Sequence, residues 1–486
     1  MAERIKVLLL GESPVKPTSV AGIIRLVFGE LIANHPGDFD IRQIALFHSF
    51  AITEPKWPVQ ATETARRANG AQEFVPEDLF GQRTFRRLFS QFRPNIVFAV
   101  GNPHHLIRSG LEKTSPECRL VLYLKIDDLP LLTSVEPLLS RADLVVTMSR
   151  FSMDALKSQF PRLMNLAYIY PPADINAFAP LQAEEKRDLR EDIFPPWIDQ
   201  NAFVLGWVGK PRWRKQMWAL YEVIRYVRTG NYINCCDCDR ITLLPEGTVS
   251  THVPPSSSRC PTDLDFPKCA RCLSRNVRPA QALLDVILWL HTPHDEAGSD
   301  WPTRLLEEEY QVEPNRDIFY TEGLERDAAV RPEDMPSLYQ AWDALLDLSG
   351  SEGLALPLWE AMSASLPLIC TNYSSPAEYL NGASAGIPVE GDLQPEARSG
   401  FFRFVPDVAS AVEAVHRIYY DRGLGQTLGK NGRAFVAKYT TKTQVETWCR
   451  LLRQIASGSE GTSPRGVAPS SDGETPLTRQ TSELAI

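Results

Sequence analysis

Long apolar runs are absent from this 486-residue sequence. No stretch approaches the roughly 18 to 20 consecutive apolar residues that a membrane-spanning helix needs. The opening letters MAERIKVLLLGES break at Gly11, after a run that is too short for a secretory signal peptide. The sequence therefore predicts no transmembrane segment, and the expected location is the cytoplasm.

A net positive charge is also absent, because 51 Lys and Arg residues face 60 Asp and Glu residues and the formal charge is -9. This balance argues against a protein that binds polyanions over its whole surface, although it leaves room for a local basic site. A hydrophobic content of 43% and a charged content of 23% are typical of a globular protein. The length exceeds what one core usually serves, so two large domains with extra segments are expected.

Cysteine is scarce except in one region. Six of the nine cysteines lie in a short stretch, namely Cys235, Cys236, Cys238, Cys260, Cys269 and Cys272. In a chain that is expected in a reducing compartment, such clustering favours a metal site over disulfides.

Short β-branched or Leu-rich runs recur along the chain with helical patterns between them. They read IKVLLL, NIVFAV, RLVLYL and DLVVTM in the first part, and AFVLGWVG, LLDVILWLHT, DIFY, ALLDLS and PLICT in the second. A Pro-rich run and a charged stretch separate the two series between about 171 and 201. Strands that alternate with helices predict two α/β domains with doubly wound parallel sheets, which bind ligands at the carboxyl ends of their strands.

The stretch SEGLALPLWE places two glutamates around a Leu-Pro turn. A strand over residues 344–348 is predicted just before it, and Pro357 suits the first turn of a following helix. Glu352 and the amides of residues 353–355 then lie at a helix amino terminus, where amides attract phosphate and a carboxylate accepts hydrogen bonds from sugar hydroxyls. Glu360 lies within the helix, where it is placed to hold a ribose.

The pattern EGLALPLWE, with LYQAWDALLDLSGS before it and AMSASLPLICTNYSSPAEYL after it, resembles the donor-site signature of glycosyltransferase family 4. A second segment, GWVGKPRWRKQMWALYEVI, resembles the glycine, basic residue and lysine of the same family. The resemblance extends from KVLLLGES to LGKNGRAFVAKYT and omits the cysteine region and the tail. It implies a retaining enzyme of GT-B fold, with two Rossmann-like domains facing a cleft.

The resemblance also implies roles for single residues. Lys210 and Lys215 would neutralise the diphosphate of a nucleotide-sugar donor, without a catalytic metal. Glu352 would contact the transferred sugar and Glu360 the ribose hydroxyls, and in retaining members the donor phosphate helps to deprotonate the acceptor. The implied catalytic set is Glu352, Lys215, Lys210 and Asp127. The implied donor-binding set is Gly209, Lys210, Lys215, Ser351, Glu352, Gly353, Leu354 and Glu360.

The chain departs from the family pattern at several positions. Lys210 stands where the family usually has arginine, which keeps the charge but loses the bidentate fork. Ser365 stands at a common glycine position, and Ser374 and Ser375 replace two glycines. Asp127, in YLKIDDLP, stands where relatives often carry histidine, so it is the predicted acceptor contact.

The cysteine region contains two C-x-x-C pairs. Cys235 with Cys238 and Cys269 with Cys272 have the spacing that lets four thiolates close a tetrahedral zinc site. The 30 residues between the pairs exceed the usual separation of about 15 to 20, so Cys236 and Cys260 remain alternative ligands. A small insert with little core of its own needs such a staple, so the zinc is predicted to be structural.

These observations predict an acceptor domain at 1–180, a linker at 181–200, a donor domain at 201–440, a zinc-binding insert at 231–280, a C-terminal helix at 441–456 and a disordered tail at 457–486. The predicted activity is retaining transfer of a sugar from a UDP- or GDP-type donor to an acceptor that is either a carbohydrate or a modified nucleic-acid base. The alternative is a zinc-ribbon module for nucleic acid or protein on a catalytically idle body. The sequence does not identify the sugar or the oligomeric state.

Overall fold

The computed structural model describes residues 4–16, 18–46, 56–66, 72–244, 268–294, 299–321, 333–397 and 399–458. The chain divides into two compact units. The first unit comprises Met1–Asp174, Glu352–Leu356 and Ala437–Ile486, and the second comprises Ile175–Ser351 and Pro357–Val436. Cys260 and most of the predicted tail, from 459 onward, lie outside the described residues.

The first unit is built on a seven-stranded parallel sheet of order β3-β2-β1-β6-β7-β8-β9. Its central strands are continuous apolar runs because helices cover both faces of a parallel sheet. The strands of the unit are β1 (Ile5–Glu12), β2 (Phe39–Leu46), β3 (Val59–Ala61), β4 (Thr64–Arg66), β5 (Gln72–Phe74), β6 (Ile96–Gly101), β7 (Arg119–Leu124), β8 (Leu144–Thr147) and β9 (Leu166–Tyr168). Of these, β4 and β5 pair antiparallel in a separate two-stranded sheet. The helices are α1 (Ser19–Asn34), α2 (Gln82–Phe92), α3 (Pro103–Leu106), α4 (Glu136–Arg141) and α5 (Arg150–Gln159).

The second unit contains a six-stranded parallel sheet of order β15-β14-β10-β16-β17-β18. Its strands, with those of two smaller sheets, are β10 (Phe203–Val208), β11 (Tyr232–Cys235), β12 (Ile241–Leu243), β13 (Val277–Pro279), β14 (Val286–His291), β15 (Ile318–Tyr320), β16 (Ala344–Asp347), β17 (Leu368–Thr371), β18 (Gly386–Val389), β19 (Gly391–Pro395) and β20 (Phe402–Pro406). The two parallel sheets are those that the strand pattern predicts.

The helices of the second half of the chain follow the same alternation. They are α6 (Ala183–Ile193), α7 (Met217–Thr229), α8 (Thr303–Tyr310), α9 (Met335–Ala341), α10 (Leu356–Ser363), α11 (Ser374–Ala383), α12 (Val408–Tyr420), α13 (Arg422–Val436) and α14 (Thr441–Ala456). The last helix, α14, packs in the first unit, where the ring of Trp448 lies 5.0 Å from Phe98 and 4.9 Å from Tyr123. Within the described ranges, no helix combines the length and the apolar content needed to cross a bilayer.

The insert forms a three-stranded antiparallel sheet of order β12-β11-β13 between α7 and β14. Tyr232 and Ile241 join it to the main core of the second unit, and Arg240 lies 3.5 Å from Glu413 of α12. Because α7 has already run back from the carboxyl edge of the sheet, the insert lies near the opposite edge, where β14 begins. The sequence order favours the same edge, since helix-to-strand connections emerge there.

Candidate functional site

Two predicted donor-site segments meet at the carboxyl ends of β10 and β16, which are neighbouring strands. Arg214 donates to the Ser351 carbonyl oxygen at 3.3 Å, and the Gly350 amide donates to the Arg214 carbonyl oxygen at 2.6 Å. The segment 210–215, KPRWRK, thus lies against the start of the SEGLALPLWE segment. Parallel sheets bind ligands at this edge because the helix amino termini that follow the strands converge there.

Lys215 is buried at this edge, and its Nζ lies 3.2 Å from Oδ2 of Asp347. Only 6% of the Lys215 side chain and 3% of the Asp347 side chain are exposed. The other oxygen of Asp347, Oδ1, accepts a hydrogen bond of 2.9 Å from the Ser349 amide. Burial of a charged pair is costly unless hydrogen bonds satisfy it, so this arrangement fixes the ammonium group in a defined place.

Lys210, the other predicted cation, follows β10 and Gly209. Unlike Lys215, its side chain is exposed. Arg212 is exposed and Arg214 half-buried, so the segment 210–215 carries four cations. Of these four cations, Lys215 lies within ion-pair distance of Asp347. This part of the second unit therefore presents a positive charge to an anionic ligand.

Residues 351–355 lead into α10 and are all buried. Ala355 has φ 58°, a left-handed conformation that residues other than glycine seldom adopt. Strained backbone of this kind clusters at binding and catalytic sites. A Cβ on Gly353 would lie 2.6 Å from the Ile126 carbonyl oxygen, so only glycine fits there. Leu354 packs into the core of the first unit.

Asp127 lies beside this segment, and both belong to the first unit. Its Oδ1 accepts the Gly353 amide at 2.9 Å, and its Oδ2 lies 3.1 Å from Nζ of Lys125. The carboxylate therefore holds the backbone next to Glu352, which is 2% exposed. An acceptor contact for Asp127 stays a prediction, whereas its hydrogen bond to the glutamate segment is a contact that sequence reasoning missed.

Glu360 lies on α10, and its Oε2 accepts a hydrogen bond of 2.6 Å from Oη of Tyr339. Burial raises the pKa of Glu360 to about 7, although the hydrogen bond from Tyr339 opposes the shift. A carboxylic acid with such a pKa changes its charge near neutral pH. Sequence reasoning also missed Tyr339 and Asp347, because nothing in the letters marks either one as a partner of the predicted residues.

The four predicted metal ligands converge in the insert. The sulfur atoms of Cys235, Cys238, Cys269 and Cys272 all lie within 4.8 Å of one another. The Cys235–Cys272 sulfur pair is 3.5 Å apart and the Cys238–Cys269 pair 3.6 Å apart. Four thiolates at about 2.3 Å from one zinc ion have sulfur atoms about 3.8 Å apart, so the cluster has the right size.

The thiols of the cluster differ in acidity, since burial raises the pKa of Cys238 to about 12 whereas that of Cys269 is lowered. Burial opposes ionisation of Cys269, but the amides of Cys272 and Arg271 and the neighbouring thiols outweigh it and lower the pKa of this thiol to about 6. The thiolate is the form that binds metals. Cys236 lies outside the group of four, and its amide donates to the Asn276 carbonyl oxygen at 2.8 Å.

A second group, His35, Asp38 and Cys449, also brings possible ligand atoms within 4.8 Å of one another. Asp38 forms an ion pair with Arg453 there. A guanidinium group already neutralises the Asp38 carboxylate, which argues against a cation site at these residues.

Comparisons with known proteins agree with this geometry. Residues 328–435, which include the SEGLALPLWE segment, match the family described as Glycosyl transferases group 1. No curated protein sequence matches the chain.

Solved structures match over almost the whole chain. Sucrose-phosphate synthase from Thermosynechococcus elongatus is 14% identical, with a TM-score of 0.62 over 94% of this chain and 100% of that one. The Anabaena protein HepE in complex with UDP-glucose is 14% identical, with a TM-score of 0.61 over 93% and 100%. WaaG, a glycosyltransferase involved in lipopolysaccharide biosynthesis, is 11% identical, with a TM-score of 0.58 over 92% and 99%.

The fold is therefore that of the GT-B glycosyltransferases, as the sequence predicts. The match of residues 328–435 to the Glycosyl transferases group 1 model identifies this part of the chain as glycosyltransferase sequence. The predicted enzyme class is confirmed.

Proposed function

We propose that the chain transfers a sugar with retention of configuration from a UDP-sugar, and that the segments 210–215 and 351–360 bind the donor. The meeting of these two segments at the carboxyl ends of β10 and β16, through Arg214, Gly350 and Ser351, is the observation that carries the proposal. It brings four cations and a helix amino terminus to the edge where parallel sheets bind ligands.

Each predicted residue then has a defined task. Lys215 and Lys210 stabilise the negative charge that accumulates on the leaving nucleoside diphosphate. Asp347 holds Lys215 in place before the donor arrives, so no reorganisation is needed in the transition state. Glu352 accepts hydrogen bonds from hydroxyl groups of the transferred sugar, and Glu360 accepts hydrogen bonds from the ribose hydroxyls. The backbone of residues 351–354 and of Gly209 completes the donor contacts, with the Gly353 amide held by Asp127.

The uridine base is proposed from the names of structural neighbours. HepE was solved in complex with UDP-glucose, and the Burkholderia xenovorans trehalose-phosphate synthase is described as UDP-forming. We propose residues 1–180 as the acceptor domain, with Asp127 near the acceptor, and residues 201–440 as the donor domain. The acceptor is a carbohydrate or a modified nucleic-acid base.

The test is a donor panel. The purified chain is incubated with UDP- and GDP-sugars, and the release of nucleoside diphosphate is measured with and without carbohydrate acceptors. We expect release from one or more UDP-sugars, and a product whose anomeric proton shows the configuration of the donor by NMR. Release from GDP-sugars alone would overturn the uridine assignment, and an inverted product would overturn retention.

Glu352→Gln serves as the site variant and Glu117→Gln as its matched surface control, because Glu117 is exposed. We expect Glu352→Gln to lower turnover by roughly 100-fold, the scale of a lost preorganised contact. Equal rates in the two variants would contradict the donor site.

We further propose that Cys235, Cys238, Cys269 and Cys272 hold one structural zinc ion. The ion would tie β11 to the loop before β13, in an insert whose described residues form a core of Ile233, Cys235, Leu244, Cys269 and Val277. So small a core does not stabilise a fold without a staple. Elemental analysis of protein prepared without chelator should find one zinc per chain, and the absence of metal would reject the site.

The charge of the insert does not favour the nucleic-acid module. Its described residues include five cations and two acids, which are Arg240, Lys268, Arg271, Arg275, Arg278, Asp237 and Asp239. A zinc ion held by four thiolates carries two net negative charges, so this part of the insert is close to neutral. A phosphate-binding surface needs a stronger positive field.

A further inference from the structure

The hydrogen bond between Tyr339 and Glu360 joins two elements of the second unit, α9 and α10. Oη of Tyr339 lies 2.6 Å from Oε2 of Glu360. The two residues are 21 positions apart in sequence, so the contact is made by tertiary packing. A hydrogen bond to a charged acceptor is among the strongest in proteins.

Packing leaves the tyrosine ring no freedom to move away. Tyr339 is fully buried, at 0% exposure, and its ring lies 5.0 Å from Trp342 and 5.4 Å from Phe178. A hydroxyl group on a ring held in this way points in one direction. The carboxylate that it binds is therefore oriented by the core and not by solvent.

We propose that Tyr339 is a positioning residue of the donor site, which occupies Oε2 of Glu360 and leaves Oε1 to accept the ribose hydroxyls of the donor. The inference rests on the proposed ribose contact of Glu360. The tyrosine does not touch the reacting atoms and acts through the glutamate alone.

The electrostatics of the pair agree with this role. Burial raises the pKa of Tyr339 well above its ordinary value, and the charges of Glu360 and of Asp347, on β16, raise it further. Tyr339 is therefore a permanent donor at physiological pH. Asp347 is itself paired with Lys215, which links the phosphate-binding and ribose-binding parts of the proposed site.

The sign of the effect on Glu360 follows. The Tyr339 hydroxyl favours the carboxylate and so lowers a pKa that burial raises to about 7. Removal of the hydroxyl must raise this pKa further, and the carboxylate that binds ribose is then lost at a higher pH.

The experiment measures the donor KM and kcat between pH 5.5 and 9 for the wild type, Tyr339→Phe and Glu360→Gln. In the wild type the donor KM should rise as the pH falls through about 7, where Glu360 becomes protonated. In Tyr339→Phe this rise should move up by about one pH unit, the shift expected for one lost hydrogen bond to a charged group. Its kcat should stay within about 3-fold, because a ribose contact is similar in the ground state and the transition state.

Glu360→Gln should abolish the transition, and the double variant Tyr339→Phe/Glu360→Gln should have the same donor KM as Glu360→Gln alone. The matched control is Tyr221→Phe, because Tyr221 is also fully buried and its hydroxyl lies 2.6 Å from that of Tyr320. This variant also loses a buried hydroxyl contact, but it should leave the pH profile of the donor KM unchanged. Melting temperatures of all variants report on folding.

The outcomes distinguish the ribose contact of Glu360 from the positioning role of Tyr339. If Glu360→Gln does not alter the donor KM at any pH, the ribose contact itself is wrong. If Glu360→Gln abolishes the transition but Tyr339→Phe has the wild-type profile, the ribose contact stands and the positioning role is overturned. If Tyr221→Phe shifts the profile as much as Tyr339→Phe does, the effect is general destabilisation and the role of Tyr339 is also overturned.

Discussion

The second unit contains both the cysteine cluster and the donor-site residues Lys215, Asp347 and Glu360, and the two groups are built in opposite ways. Lys215, Asp347 and Glu360 are attached to the six-stranded sheet or its helices, and the large core of the unit holds them in place. The four cysteines lie on or beside a short antiparallel sheet whose core, in the part of the insert that the structure describes, has five residues, two of which are themselves cysteines of the cluster.

The difference indicates whether the fold or a bound ligand positions the side chains of each site. At the donor site the fold positions charged groups before any ligand arrives, so a ligand is needed for function but not for folding. In the insert, the apolar core of the described residues is small, so binding of the proposed zinc ion would contribute to the free energy of folding. Variants of the two sites should therefore fail in different assays.

Lys215→Ala gives the largest expected effect. Turnover of donor should fall by roughly 100-fold or more, because the ammonium group stabilises the charge of the leaving diphosphate. Metal content should stay as in the wild type. Lys113→Ala, at a side chain that is 76% exposed, is the matched control and should leave turnover unchanged.

A loss of stability would confuse this result, because Lys215→Ala leaves Asp347 buried without its cation and costs about 3 kcal/mol. The double variant Lys215→Ala/Asp347→Asn removes the orphaned charge. It should recover most of the melting temperature but none of the turnover. If turnover returns with stability, Lys215 is a structural residue and its proposed role in donor binding is wrong.

Cys269→Ser should have the complementary result. Because Cys269 is a proposed ligand and is 0% exposed, the variant should lose its zinc and the protection of insert amides from hydrogen exchange. Donor hydrolysis should stay within about 3-fold of the wild type, since the proposed donor residues hold their places through the main core. Elemental analysis, hydrogen exchange and hydrolysis rates on the same preparation check this.

An unchanged exchange pattern in a metal-free variant would show that the insert folds through its own core. A large loss of donor hydrolysis would show that the insert supports the donor site. Either result would break the contrast between the two sites.

The same contrast explains how much the sequence could reveal. The strands of both parallel sheets were predictable, since β6 or β10 is a continuous apolar run that only a two-sided burial explains. The cysteine cluster was predictable because chelate spacing is local, two residues between the members of each pair. The SEGLALPLWE segment was predictable because strand, turn and helix lie next to one another.

The partners of the charged residues were not predictable. Asp347 is 132 positions from Lys215, and Asp127 is 226 positions from Gly353. Apolar periodicity determines which face of an element is buried, but it does not specify which carboxylate meets which cation or amide. That pairing is decided by the order of strands in the sheet, and it emerges only from the assembled fold.

Glu360→Gln tests whether the charged, buried carboxylate of Glu360 lowers the free energy of unfolding. The pKa of Glu360 is raised from 4.5 to about 7 in the folded protein. The folded state therefore binds a proton more tightly than the unfolded state, and stability falls as the pH rises from about 4.5 through 7. The glutamine variant escapes this loss.

Glu360→Gln should consequently be more stable than the wild type at pH 8, by an amount on the order of 1 kcal/mol for a partly buried group. At pH 4.5 the two proteins should melt alike, since the glutamate is then protonated. Melting curves at the two pH values check this, and a variant that is less stable at pH 8 would show that the carboxylate is not strained.

Cys236→Ser should have the smallest effect. Cys236 adjoins the proposed ligand Cys235, and the 30-residue gap between the two C-x-x-C pairs makes it an alternative ligand on spacing alone. Its side chain lies outside the cluster of four sulfur atoms, and its hydrogen bond to Asn276 uses the backbone amide, which serine retains. The variant should keep one zinc per chain and a wild-type melting temperature, whereas Cys238→Ser loses both. If Cys236→Ser loses zinc instead, the ligand set of the insert is wrong, although its dependence on metal would stand.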